Sequence, residues 1–253
     1  MAIRIARAWL ESFPRGPVER VICRLRALVG INMLGIGTSG HSVDGLMRIN
    51  RDRSRRNDPE GMRNKVLDAA FSMFQTNGYC ATSMQEVMQA AGVTGGALHH
   101  HFPTKQSLAL AIFKERVAPA VRETWIDPVR AAASFGEGIQ SVFDDIASGL
   151  ERRGKVSGCP LNNLAMELTV VDRAFRKAAS DIFQEWESAL AECIRATRSG
   201  RTLSKGARTE IGAFIVASYS GAMALAKTQQ SAKPLRSAAD ILMRWLRSRK
   251  FDR

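Results

Sequence analysis

The sequence predicts an all-α protein in which a small helix-turn-helix domain precedes a larger helical domain. From Arg63 onward, apolar residues recur at helical spacing, and no run of residues alternates as a strand would. Residues 82–105 have the pattern of two short helices joined by a glycine turn, with a further helix beginning after them. Beyond Pro128 the helical pattern continues to the end of the chain.

Charge and cysteine content limit the classes of partner and site. The 253-residue chain carries a formal net charge of +13, which favours an anionic partner such as nucleic acid. Its cysteines are too far apart for a disulfide scaffold or a zinc ribbon, and a reducing cytoplasm is the expected compartment. These cysteines are Cys23, Cys80, Cys159 and Cys193.

Composition divides the chain into three parts. Residues 1–61 are basic and largely aperiodic, and we expect a disordered or mis-assigned extension there. The apolar patch at 27–36 is too short to span a bilayer, so no membrane partner is expected. We assign residues 62–108 to the helix-turn-helix domain and residues 109–253 to the larger helical domain.

Local signals place the helices of the smaller domain. The first helix is expected at 63–76 and ends at the Asn77-Gly78 pair. Ser83 and Glu86 have the spacing of a capping box, which begins the second helix. Gly92 provides the turn.

The third helix begins at Thr94 and ends before Pro103, and Thr104 caps the fourth. In the larger domain, helices are expected near 136–153, 161–170, 172–198, 205–229 and 234–248.

The third helix, at residues 95–102, is the predicted recognition helix. Its small first residues allow backbone amides to approach phosphates, and its histidines can reach base edges. Lys105 and the residues that begin the second helix are placed to meet phosphate oxygens. The predicted DNA-binding residues are Thr82, Ser83, Thr94, Gly95, Gly96, Ala97, His99, His100 and Lys105.

Two alternatives apply to this helix. A metal site is not expected, because the consecutive residues His99, His100 and His101 point about 100° apart and cannot share one ion well. Leu98 and Phe102 are expected to pack in the core rather than insert into DNA.

Residues 63–116 resemble the DNA-binding domain of the TetR family of bacterial transcriptional repressors. Three positions depart from the family pattern. His99 stands where the family usually has a phosphate-binding tyrosine, Met88 where it has alanine, and Gly95 where it often has a basic or polar residue. The matching residues are Ala91-Gly92-Val93-Thr94, Gly96-Ala97-Leu98, His100-His101-Phe102-Pro103 and Lys105.

The resemblance implies that the later helices form a ligand-sensing and dimerising domain. A stripe of small residues on the helix at 205–229 would let a partner helix approach closely, although an intramolecular core is the alternative. The expected ligand-binding residues are Trp125, Phe143, Cys159, Asn163, Leu164, Glu167, Phe183 and Trp186.

The segment 158–167 begins with a Gly-Cys pair and resembles a subgroup of the family that responds to electrophiles, quinones and aromatic compounds. Cys159 precedes a helix, where the helix dipole and nearby Lys155 are expected to lower the pKa of its thiol. A small buried thiol without reactivity is the alternative.

The sequence therefore predicts a homodimeric repressor that a small hydrophobic or electrophilic inducer releases from a palindromic double-stranded DNA operator. No cofactor or catalytic residue is expected. An architectural DNA-binding protein without a sensor is the first alternative. A cysteine-dependent enzyme is the second, and it lacks a histidine base in the second half of the chain.

Overall fold

The computed structural model describes residues 58–251, and these form nine labelled helices and a short 3₁₀ helix (Gly200–Thr202) without a strand. The predictions for residues 1–57 lie outside the described residues. The first three helices are α1 (Pro59–Asn77), α2 (Met84–Ala91) and α3 (Gly95–His101). After helix α4, at 105–131, come α5 (Phe135–Arg153), α6 (Pro160–Leu168), α7 (Arg173–Ala196), α8 (Lys205–Gln229) and α9 (Lys233–Ser248).

Helix α1 begins earlier than the sequence analysis placed it. The Asp58 side chain accepts a hydrogen bond of 2.8 Å from the Gly61 backbone N–H, and Pro59 occupies the first helical position. A proline is favourable there because its missing N–H has no helical partner to lose. Residues 59–61 therefore belong to α1 and not to the extension.

Helix α4 crosses the predicted domain boundary at residue 108 without interruption. Its α-helical segments Lys105–Ile112, Ala118–Val121 and Asp127–Ala131 are joined by the π-helical turns Phe113–Val117 and Arg122–Ile126. Each π turn lies directly before an X-Pro pair, at Pro119 and at Pro128. A wider turn accommodates a residue that cannot donate a backbone hydrogen bond, so the rod continues where proline would otherwise break it.

The expected helices of the larger domain are confirmed to within about two residues at each end. Helix α8 packs on α7 and α9, and α9 packs on α5. Helix α8 is long and apolar enough to cross a membrane by length and composition alone, and 39% of its most apolar window is buried inside the protein. The all-α fold class is confirmed for the described residues.

One hydrophobic core runs through both predicted domains. Phe74 of α1 contacts the ring of Tyr79 at a centroid distance of 5.2 Å, and Tyr79 contacts Phe175 of α7 at 5.7 Å. Phe113 of α4 lies 6.3 Å from Phe175. The helix-turn-helix is therefore attached to the larger domain by packed aromatic rings as well as by α4.

Candidate functional site

The caps of α2 and α3 hold the turn between them in the expected geometry. The Ser83 hydroxyl accepts from the Glu86 backbone N–H at 3.1 Å, and the Glu86 carboxylate accepts from the Ser83 N–H at 2.7 Å. Gly92 has φ 64°, a left-handed conformation that favours glycine. Thr94 caps α3 through a bond of 3.3 Å from the Ala97 N–H.

Helix α3 has one buried side and one exposed side. Two side chains, Leu98 and Phe102 just after the helix, are at most 2% exposed. They fix the helix on the core, as expected. His99 and His100 are exposed, and a Cβ atom at position 96 would meet no atom of the described residues within 4 Å beyond its own helix turn. The exposed face is therefore small at its start and carries imidazoles further along.

Met88 and Gly95, two of the departures from the family pattern, lie against each other. A Cβ atom at position 95 would stand 3.6 Å from the Met88 sulfur, which is ordinary contact. Met88 thus borders the position that a Cβ atom at residue 95 would occupy.

The position of Thr82 does not support the phosphate contact that was predicted for it. Its side chain is only 1% exposed, and its hydroxyl donates to the Gly78 carbonyl at 2.8 Å. The residue closes the α1–α2 loop from within, so its predicted role is corrected. Ser83 is exposed, and its hydroxyl also donates to Glu86 at 2.8 Å.

Lys105 begins α4 and turns its side chain toward the α1–α2 loop. The ammonium lies 4.2 Å from the centroid of the Tyr79 ring and 3.5 Å from the Cys80 carbonyl. The aromatic face stabilises the cation while leaving it partly accessible. Contact between Lys105 and DNA stays a prediction.

Four aromatic side chains form a packed cluster in the larger domain. Trp125 lies 5.4 Å from Phe143, 4.9 Å from Trp186 and 4.7 Å from Tyr219, measured between ring centroids. The cavity beside Trp125, Trp186 and Tyr219 measures about 20 Å³, room for about one water molecule. Tyr219 is the member of the cluster that the sequence analysis did not assign to the ligand site.

Cys159 is the N-cap of α6, as expected, but its thiol is not activated there. Burial raises the pKa of the Cys159 thiol, and this outweighs the backbone N–H groups of Asn162 and Leu161 and the Tyr219 hydroxyl, which lower it. Tyr219, buried against the same thiol, has a pKa well above its ordinary value, chiefly because of desolvation. The expectation of a lowered thiol pKa is therefore wrong, because the side chain faces the core.

Glu167 of α6 connects the larger domain to the helix-turn-helix. Its carboxylate accepts hydrogen bonds from the backbone N–H groups of Tyr79 at 2.8 Å and Cys80 at 2.7 Å. Burial raises the pKa of Glu167, but these two N–H groups and the Cys80 thiol hold it below its usual value overall. An ionised carboxylate is thus held across the domain boundary.

Asn163, one turn earlier on α6, reaches α1. Its amide donates to the Gln75 side-chain oxygen at 2.9 Å and to the Ser157 carbonyl at 2.8 Å. Lys227 of α8 donates to the Asn163 side-chain oxygen at 3.0 Å. Asn163 therefore joins α1, α6 and α8.

The structure divides the predicted ligand-binding residues among separate places. Cys159, Asn163 and Glu167 border an open groove between α1, α6 and α8, which also contains Gln75 and Lys227. Leu164 is buried, Phe183 is half-buried, and neither lines the groove or the small aromatic cavity. Nothing in the sequence pattern marked Gln75 or Lys227, since their neighbours are distant along the chain.

Two sequence profiles match the chain. Residues 66–112 match the profile described as bacterial regulatory proteins, tetR family. Residues 136–241 match the C-terminal domain of LmrA/YxaF-like transcriptional regulators. Together the two matches cover more than half of the chain.

Individual proteins agree with these profiles. The chain is 29% identical over 174 residues to the HTH-type transcriptional regulator LmrA of Bacillus subtilis, covering 68% of this chain and 90% of the relative. It is 22% identical over 182 residues to the HTH-type transcriptional repressor DhaR of a Mycobacterium species, covering 69% and 86%.

A TetR transcriptional regulator from Chloroflexus aurantiacus has a crystal structure that superposes with a TM-score of 0.64 at 25% identity. The match covers 75% of this chain and 96% of that one. Sequence profiles, relatives and fold agree, and the chain belongs to the TetR family of bacterial transcriptional regulators.

Proposed function

We propose that the protein is a homodimeric repressor that binds a palindromic operator through α3 and is released by a small molecule sensed at α6. The observation that carries this proposal is the exposed face of α3, held between capped ends, in a domain bonded directly to α6. The first property supports DNA binding, and the second supports control of DNA binding by the larger domain.

The exposed face of α3 supports a division of roles. His99 and His100 are available to read base edges, while Lys105 and Ser83 flank the helix where phosphates would pass. Thr94, Gly95, Gly96 and Ala97 let the start of α3 approach the duplex closely. Thr82 is left out of this set because its hydroxyl is engaged inside the loop.

An exposed apolar surface on α8 and α9 supports the dimer. Phe214 and Leu225 of α8 are 51% and 54% exposed, and Ile241 of α9 is 61% exposed. Ala217 and Gly221, both exposed, leave space on α8 for a close helix–helix crossing. Two-fold symmetry would place two α3 helices for two half-sites.

The other functions have less support. An architectural role does not account for the groove and hydrogen-bond links at α6. The enzyme hypothesis requires a base near Cys159. The histidines of the described residues are His99, His100 and His101 on α3, and the thiol is buried.

Selection of bound duplexes from a random oligonucleotide pool tests the proposal. We expect a palindrome to be enriched, with sequence preference lost in the double variant His99→Ala, His100→Ala. Gln184→Ala, on the exposed surface of α7, is the matched control and should select the same palindrome. A pool that shows no enriched sequence at low salt would contradict the proposal.

A further inference from the structure

An open groove lies where the end of α1, helix α6 and helix α8 meet. Its volume is about 580 Å³, within the range of small-molecule sites, whereas the cavity in the aromatic cluster measures about 20 Å³. Of these two spaces, the groove is the one with room for a small organic molecule.

The wall from α1 holds a buried donor without an acceptor. Gln75 is 5% exposed, and its side-chain oxygen accepts from the Asn163 amide at 2.9 Å. Its Nε2 group is buried and has no hydrogen-bond partner among the described residues. Such a group is costly to leave unpaired, so an acceptor atom placed beside Gln75 Nε2 would be stabilised.

The wall from α8 adds a cation. The Lys227 ammonium donates to the Asn163 oxygen at 3.0 Å, and it has no carboxylate partner within ion-pair distance among the residues at 58–251. Glu167 borders the same groove, but its oxygens already accept from Tyr79 and Cys80. The donors in the groove that could serve a ligand thus include the Lys227 ammonium and Gln75 Nε2.

Apolar side chains complete the groove. Phe74 and Met223 are buried at its walls, and Met166, 82% exposed, stands at its rim. This combination fits a molecule with a hydrocarbon body and one anionic group of acceptor oxygens.

Gly158 explains how Asn163 and Lys227 come together. Its φ of +89° is a conformation that favours glycine, and a Cβ there would lie 2.8 Å from the Asn163 oxygen and 2.9 Å from a Lys227 methylene carbon. A glycine at this position is what lets both side chains pack beside the loop. The Gly-Cys pair thus has a role in shaping the groove that does not depend on thiol chemistry.

We infer that this groove binds a small organic carboxylate, whose oxygens accept from Gln75 Nε2 and Lys227 Nζ while its hydrocarbon part packs on Phe74, Met166 and Met223. Because Gln75 Nε2 is buried, binding requires the Gln75 side chain to turn toward the groove. Its consequence for DNA rests on the proposed function, which it deepens by naming the class of ligand and its place.

Methionine methyl NMR on the full chain tests the inference. The probes are benzoate and octanoate, with benzamide and octanamide as neutral counterparts. We expect the two carboxylates to shift the Met166 and Met223 signals saturably, with Met243 of α9 unchanged, and the amides to bind more weakly by about tenfold or more. Equal binding of acids and amides, or no saturable shift at Met166 and Met223, would overturn the inference.

Variants distinguish binding in the groove from a general effect of positive charge on the protein. Lys227→Gln should weaken carboxylate binding by about tenfold or more, and Lys233→Gln, which removes an exposed lysine from the start of α9, should not. Gln75→Leu should weaken it as well, with folding verified by the unchanged spectrum of the remaining methionines. If Lys227→Gln binds benzoate and octanoate as tightly as Lys233→Gln does, the inference is wrong.

These titrations contain no DNA, so their outcome is separate from that of the oligonucleotide selection. A chain that binds carboxylates in the groove but enriches no duplex contradicts the repressor proposal alone. A chain that enriches a palindrome but treats acids and amides alike contradicts the groove inference alone.

Discussion

Replacing Glu167 with glutamine tests the bond between α6 and the helix-turn-helix. A hydrogen bond to a charged group contributes about 1.5–3 kcal/mol when shielded, and partial exposure of Glu167 reduces this to about 1 kcal/mol for each of its two backbone bonds. Glutamine keeps one acceptor oxygen and turns an NH₂ group toward the other N–H. We therefore expect a loss of about 1–2 kcal/mol, or roughly 2–8 °C in Tm.

Thermal unfolding and amide hydrogen exchange measure this loss. The amides of Tyr79 and Cys80 should exchange faster in Glu167→Gln, because they lose a charged acceptor. Glu210→Gln is the control, since Glu210 is an exposed carboxylate on α8 that makes no side-chain hydrogen bond to residues 58–251. Equal Tm values and equal exchange at Tyr79 and Cys80 in the two variants would refute the reasoning.

The pH dependence follows from the lowered pKa of Glu167. Burial raises the pKa of Glu167, but the hydrogen bonds from the N–H groups of Cys80 and Tyr79 lower it by more than burial raises it. The folded state therefore binds this proton less readily than the unfolded state does. The stabilisation is present above the unfolded value, about 4.3, and is lost as the pH falls through the folded value. The Tm difference between wild type and Glu167→Gln should shrink in acid. A difference that is constant down through this range would contradict the assignment.

Three further predictions concern single sites. Lys105→Ala should weaken binding to every duplex and reduce the salt slope by about one, measured by fluorescence anisotropy, whereas Lys114→Ala, exposed on α4, should not. In the native protein, a thiol reagent should label Cys80 before Cys159, as read by peptide mass spectrometry, since the former is exposed and the latter buried; the reverse order would contradict the burial argument. Trp186→Ala should cost about 3–5 kcal/mol in denaturant unfolding, and a loss below about 1 kcal/mol would show that the aromatic cluster does not act as core.

Local chemistry made much of the helix-turn-helix predictable. A cap needs only a side chain and the backbone three residues away, so Ser83, Thr94 and Thr104 could be assigned from spacing alone. The sequence also carries a signal for the start of α1, four residues before the predicted start at Arg63. Asp58 before Pro59 is a cap followed by a favoured first residue, but the polar composition of the segment obscured it.

The contacts at α6 could not be predicted, because they join residues far apart in the chain. Glu167 is separated from Tyr79 by 88 positions, and Asn163 is separated from Gln75 by the same number. The Cys159 prediction failed for a related reason. The helix dipole is a local property, but desolvation depends on which distant side chains cover the thiol.

The spacing of apolar residues in the sequence could not predict the π turns of α4 either. Pro119 and Pro128 indicated interruptions, and a sequence pattern gives no sign of whether a helix ends or widens at such points. Buried apolar residues before and after each proline keep α4 packed on the core, and for this reason the helix widens at the prolines and does not end there. Sequence therefore predicted the helices well and the connection between the domains poorly.

The size of the α6 contact sets an upper limit on what it can transmit. If a ligand releases DNA only by breaking the two Glu167 bonds, operator affinity changes by at most about 2 kcal/mol, or ~30-fold per subunit and ~10³-fold for a dimer. Linkage makes the effect reciprocal, so operator DNA would weaken ligand binding by the same factor. A larger measured effect requires other contacts between the domains to change as well, and the 2.6 Å bond from Gln106 of α4 to Asp172 before α7 is available for this. The effect of the ligand on operator affinity should therefore be measured in Glu167→Gln and in Gln106→Ala. The comparison shows whether the Glu167 contact alone or several contacts between the domains transmit the effect.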